Sequence, residues 1–128
     1  MIRRIASDNP YEDVIGYSRA VVAGPFVIVS GCTATVDGRV RHEGDAYEQA
    51  RTALRIALDA VENAGATAAD VVRTRMYVVD MADSEAVGRA HAEVFREIRP
   101  AASMVQASGF IDSRMLVEIE VEAYREGM

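Results

Sequence analysis

The chain is marked first by what it does not have: a basic run, a long apolar segment, or more than one cysteine. Cys32 alone excludes an intrachain disulfide and fits a reducing compartment. No apolar stretch reaches the length of a membrane span or of a signal-peptide core, including in the N-terminal MIRRIASDNPYEDVIGYSRA, so a cytoplasmic protein with no membrane partner is expected. The formal net charge of -6, with no basic cluster, argues against nucleic acid as a partner. Two histidines and one cysteine without ligand spacing exclude a zinc site, and no glycine-rich phosphate loop is present. Neither a metal nor another cofactor is therefore expected.

What is present reads as one soluble domain over residues 1–128, with 50% hydrophobic and 27% charged residues. Ile2 to Ala6 makes a first strand. SRAVVAGPFVIVSG has two β-branched runs around Gly24-Pro25, a hairpin pattern, and Asp37-Gly38 marks a further turn. Asp45 caps a helix with Glu48 as the other half of a capping box, and Gly65 ends it. Ala46, Ala50, Ala53, Leu54, Ala57, Leu58 and Val61 form that helix's apolar stripe. Val71 to Val79 is a strand, with Val72, Thr74, Met76 and Val78 on one face and Arg73, Arg75 and Tyr77 on the other. Asp83 or Ser84 caps a second helix, whose buried stripe runs from Val87 to Ile98 and includes His91 as a core-edge residue. Pro100 to Tyr124 reads as two short strands around a turn. The order β-β-β-α-β-α-β-β, with right-handed crossovers, gives an α+β two-layer sandwich: a mixed sheet with two helices on one face.

The C-terminal strand alternates strictly, so Glu118, Glu120 and Glu122 line the face opposite Val117, Ile119, Val121 and Ala123. Together with Arg73, Arg75 and Tyr77 they make the uncovered sheet face polar and structured, as expected of a cyclic oligomer. Two readings of this ridge stand side by side. Either the glutamates pair across strands with the arginines, or one stays unpaired, partly desolvated, and handles a proton. Cys32 has no histidine placed to activate it and reads as a small half-buried thiol.

The segments IGYSRAV, FVIVSG, NAGATAADVVRTRMYVVDM, RPAASMV and LVEIEVEA, in this order, resemble the reactive intermediate deaminase (Rid) family, also called the L-PSP endoribonuclease-like family. The resemblance covers nearly the whole length. It implies a chorismate-mutase-like fold, a homotrimer with clefts between subunits, and cofactor-independent hydrolysis of imines or enamines to a keto acid and ammonia. It places Tyr17, Ser30 and Gly31 on cleft-lining positions and Glu118 on the glutamate that positions water, with Ser30 helping to hold the developing oxyanion. Ser103 and Met104 fall in the substrate-binding motif. The chain departs from the pattern at Ala102, where the deaminases carry the arginine that holds the substrate carboxylate, and at Met104 and Gly88. Arg75 is the candidate for a relocated cation, with pairing to the glutamate ridge as the alternative. The expected ligand is a small imine, enamine or related carbonyl compound other than an archetypal 2-imino acid; a non-catalytic binding trimer is the other reading.

Overall fold

The computed structural model describes all 128 residues. Eight strands and two α-helices follow in chain order: β1 (Ile2–Ile5), β2 (Ala20–Ala23), β3 (Phe26–Cys32), β4 (Thr35–Val36), β5 (Arg39–Val40), α1 (Ala46–Asn63), β6 (Val71–Val78), α2 (Ser84–Phe95), β7 (Ala101–Gln106) and β8 (Val117–Tyr124). Six strands form one sheet in the order β1-β2-β3-β8-β6-β7, and β4 pairs with β5 apart from it. Only β6 and β7 run parallel, which requires the crossover that α2 supplies. Both helices pack on the same sheet face, as the sequence predicts.

Local chemistry accounts for most of these elements. Asp37 and Gly38 both take positive φ (54° and 74°), as a two-residue hairpin turn requires, so β4 doubles back into β5. Asp45 accepts from the Glu48 backbone N–H at 3.0 Å. The return half of the expected capping box does not form, because the Glu48 carboxylate turns to Arg51 at 3.1 Å. Gly65, at φ 101°, follows the last helical turn. The second helix is not capped by the side chain of Asp83 or Ser84. A short 3-10 turn, Met81–Asp83, precedes it, and Asp80 caps that turn by accepting from Ala82 N–H.

Two expectations change. Val72 is 44% exposed while Val71 is buried, because the β6–β8 ladder steps from Val71↔Ala123 to Arg73↔Glu122 and leaves Val72 as the bulged residue. The predicted face holds only from Arg73 onward. The strands of Pro100–Tyr124 also do not pair with each other: β6 lies between them, and β8 occupies the centre of the sheet between β3 and β6.

The core lies between sheet and helices. Small residues on α1 (Ala50, Ala53, Ala57) bring its backbone close to Val27, Val29, Ile119 and Val121. One polar residue sits among them. Gln49 is fully buried and completely satisfied, donating to the carbonyls of His42 (3.2 Å) and Arg114 (3.0 Å) and accepting from Leu116 N–H (2.9 Å). It ties α1 to the connection between β7 and β8.

Candidate functional site

The open sheet face resolves the two readings of the glutamate ridge residue by residue. Arg75 Nη1 donates to Glu122 at 2.7 Å and lies 3.9 Å from Glu120. The Tyr77 hydroxyl donates to Glu120 at 3.0 Å. Glu118, opposite Tyr77 in the ladder, has neither a hydrogen-bond partner nor an ion pair. Burial, and then the Glu120 charge, push its carboxyl above the ordinary range, with Arg19 pulling the other way. Glu120 and Glu122 are thus paired, and Glu118 is the unpaired, partly desolvated carboxylate.

Its neighbour is a bulge in β3. The β3–β8 ladder steps from Val29↔Val121 to Cys32↔Ile119, so Ser30 and Gly31 together oppose one residue. A Cβ on Gly31 would lie 2.7 Å from Glu118 Cδ, so only glycine admits the carboxylate there.

Arg19 holds the bulge from beneath. Its side chain is buried, and Nη1 donates to the carbonyls of Gly31 (2.8 Å) and Ser30 (3.3 Å) and to Cys32 Sγ (3.2 Å). Glu12, also buried, stands 3.8 Å from Arg19 Nε, which has no hydrogen-bond acceptor, and Glu12 is itself held by the backbone and hydroxyl of Ser7. Cys32 is fully buried, not half-buried as expected. Burial pushes its thiol up to about 11 despite the opposing effect of Arg19, so it is a poor nucleophile at neutral pH.

A cleft of about 380 Å³ opens over this arrangement. Glu118, Glu120, Ser30, Gly31, Tyr11 and Tyr17 line it. Ile111 and Met115, in the connection that Gln49 anchors, belong to its lining. No arginine lines it, and the chain contains no lysine with which to form a Schiff base. The Ser30 hydroxyl donates to the Ser18 carbonyl at 2.7 Å and the Ser30 N–H to the Arg19 carbonyl at 2.9 Å, so both donors are committed within the fold. The hydroxyl oxygen keeps lone pairs to accept with.

Of the residues expected at the site, Tyr17, Ser30, Gly31 and Glu118 thus come together in this cleft within one chain. Arg75, Ser103 and Met104 lie elsewhere: Arg75 and Ser103 are neighbours in the β6–β7 ladder, and Met104 packs against the core. Gly88 sits in α2, in the helix layer. His91 bonds Thr74 Oγ1 at 2.8 Å and packs on Phe95, the satisfied core-edge residue anticipated. Sequence reasoning passed over Arg19, Glu12 and Gln49. The one available signal was Arg19 standing next to the apolar run AVVA.

The family model described as Endoribonuclease L-PSP matches residues 7–125. The chain belongs to the Rid/L-PSP family. A Streptomyces coelicolor relative is 45% identical over 97% of this chain and 92% of its own. The 3-aminoacrylate deaminase RutC of Acinetobacter baylyi is 35% identical over 84% of this chain and 86% of its own. Among solved structures, a Mycobacterium tuberculosis member of the YjgF/YER057c/UK114 family is 44% identical, covering 97% of this chain and 99% of the other with a TM-score of 0.87. Membership of the Rid/L-PSP family fits the fold described above.

Proposed function

We propose that this Rid/L-PSP protein is a cofactor-independent hydrolase of small imines or enamines. The observation that carries this reading is the solitary Glu118 carboxylate, raised in basicity and set over the Ser30–Gly31 bulge in the lining of a cleft. A carboxylate made more basic than usual suits general-base work. Water bound to Glu118 attacks the carbon of the protonated C=N group while Glu118 takes one of its protons, which gives a neutral carbinolamine. Glu118 returns that proton to nitrogen, and as the C–N bond breaks the hydroxyl proton passes to the departing ammonia, so a carbonyl compound and ammonium leave and Glu118 is ionised again. The kinship to a 3-aminoacrylate deaminase lends weight to this reaction class. Phosphodiester chemistry is disfavoured, because a phosphate would enter beside Glu118 and Glu120 with no cation of the same chain lining the cleft to meet it.

The working form in this reading is a homotrimer, its clefts completed by a neighbouring copy. Exposed Phe26 (43%), Ile28 (46%) and Tyr124 (38%) beside the paired ridge are apolar surface of the kind that copies of a chain cover. Ser103 and Met104 would reach a cleft only across such an interface.

Ammonia release from an imine generated in place by an oxidase is the test. Glu118→Gln is expected to lower the rate by about 10²–10⁴-fold with little change in KM. One observation favours a binding role without turnover: the Ser30 donors are committed to Ser18 and Arg19, which leaves them unavailable to an oxyanion. Ammonia release unaltered by the wild-type protein would decide for that second reading.

A further inference from the structure

We propose that the ligand of this cleft is a small cation of the iminium type that carries no carboxylate. The inference deepens the hydrolase reading and rests on it for the reaction, although recognition of the cation stands on the cleft's own chemistry.

Three observations converge. The first is charge. Two carboxylates, Glu118 and Glu120, face the cleft, only Glu120 has partners in Tyr77 and Arg75, and no cationic side chain of the same chain lines the space. A ligand carboxylate would be a third negative group at short range, whereas a protonated imine would meet the unpaired Glu118 directly. The two interactions with Glu118 are of opposite sign, attractive for the protonated imine and repulsive for a carboxylate.

The second is hydrogen-bond polarity. The Ser30 hydroxyl has given its proton to Ser18, so it offers lone pairs to the cleft, and the Glu118 carboxylate is an acceptor outright. An iminium N–H₂ group is a double donor that matches both. The third is the route by which a clamping cation would have to arrive. The nearest buried guanidinium, Arg19, is fixed beneath the bulge on the carbonyls of Ser30 and Gly31, and Arg75 is fixed on Glu122. Neither is free to turn towards a ligand carboxylate. Ala102, on β7, has no group with which to do so.

The reaction balances without a co-reactant beyond water. The cation R–CH=NH₂⁺ adds water at carbon, the C–N bond breaks, the water oxygen becomes the aldehyde oxygen, and nitrogen leaves as ammonium. The reaction that supplies such a substrate is the two-electron oxidation of a primary amine.

The test compares two imines prepared in place with catalase present: the aldimine formed by an amine oxidase from propylamine, and 2-iminopropionate formed by an amino-acid oxidase from alanine. The aldimine is expected to be hydrolysed with an enhancement over its spontaneous rate at least tenfold greater than that of 2-iminopropionate. Acetamidinium, a stable mimic of the cation, is expected to bind by calorimetry, and Glu118→Gln and Ser30→Ala are each expected to weaken it. Equal or greater enhancement with 2-iminopropionate would overturn the inference and leave the hydrolase reading intact. Failure of both imines, with acetamidinium still bound in a Glu118-dependent manner, would remove turnover and keep the cation site. If acetamidinium does not bind and neither imine is preferred, the cation site is lost.

Discussion

Gly31 and Glu118 touch so closely that the absence of a side chain on one defines the position of the other: a Cβ at residue 31 would stand 2.7 Å from Glu118 Cδ and 2.8 Å from Oε2. Gly31→Ala therefore displaces the carboxylate. The atoms met are the far end of a flexible side chain beside an open cleft, so little stability is lost, whereas misplacement by about 1 Å is enough for a loss on the order of 10²-fold in rate. Denaturant melts and initial rates on the same preparation check both.

Glu118→Gln has a second consequence, for stability against pH. Burial raises the Glu118 carboxyl above its ordinary value of 4.5, so the folded protein holds that proton more tightly than the unfolded chain does. The group's contribution is fully favourable below that ordinary value and is lost as pH rises through the raised one. At pH 7 the ionised carboxylate thus opposes folding and glutamine does not. The variant should melt above the wild type at pH 7 and alongside it at pH 4. A variant melting lower at pH 7 would show that the carboxylate is compensated after all.

Removing Arg19 should be far more damaging than its distance from the solvent-exposed surface implies. Arg19→Met leaves the Ser30 and Gly31 carbonyls without their donor and strands the buried Glu12, a loss of about 3–5 kcal/mol. Arg19→Lys keeps the charge but has fewer and less well placed donors, so a smaller loss is expected. Urea midpoints with unchanged slopes are the measure.

Cys32 should be silent towards thiol reagents in the native state. It is buried, and its thiol is pushed up to about 11. At pH 8 a disulfide reagent should titrate one thiol in denatured protein and essentially none in native protein over minutes. Rapid native labelling would mean that the β3 bulge opens readily.

The alternation of VEIEVEAY was legible because a period of two leaves a strand only one way to bury its apolar set, and the same arithmetic puts Arg75 on the ridge's face, though not whether it pairs there or turns to a ligand. Val72 was misplaced because a bulge inserts one residue without any local signature. The short strands of Pro100–Tyr124 looked like neighbours because sequence proximity says nothing about the strand that inserts between them. Arg19 and Gln49 stayed hidden for a different reason: each is buried only because carbonyls distant in the chain converge on it, as Arg114 and His42 do on Gln49. Glu118 could be named from the family pattern. That it alone among the three glutamates is unpaired depends on where the Tyr77 hydroxyl and the Arg75 guanidinium end up.

The central place of β8 bears on how the molecule is made. Of the strands of this sheet β8 is the last in chain order and the one that joins β3 to β6, so until Val117–Tyr124 emerges the nascent chain carries two separate half-sheets, each with a bare inner edge. Those edges are the natural targets of chaperones and of mispairing with a neighbouring nascent chain. The catalytic candidate arrives on that same closing strand, so a molecule that has not finished its sheet has no Glu118 in place.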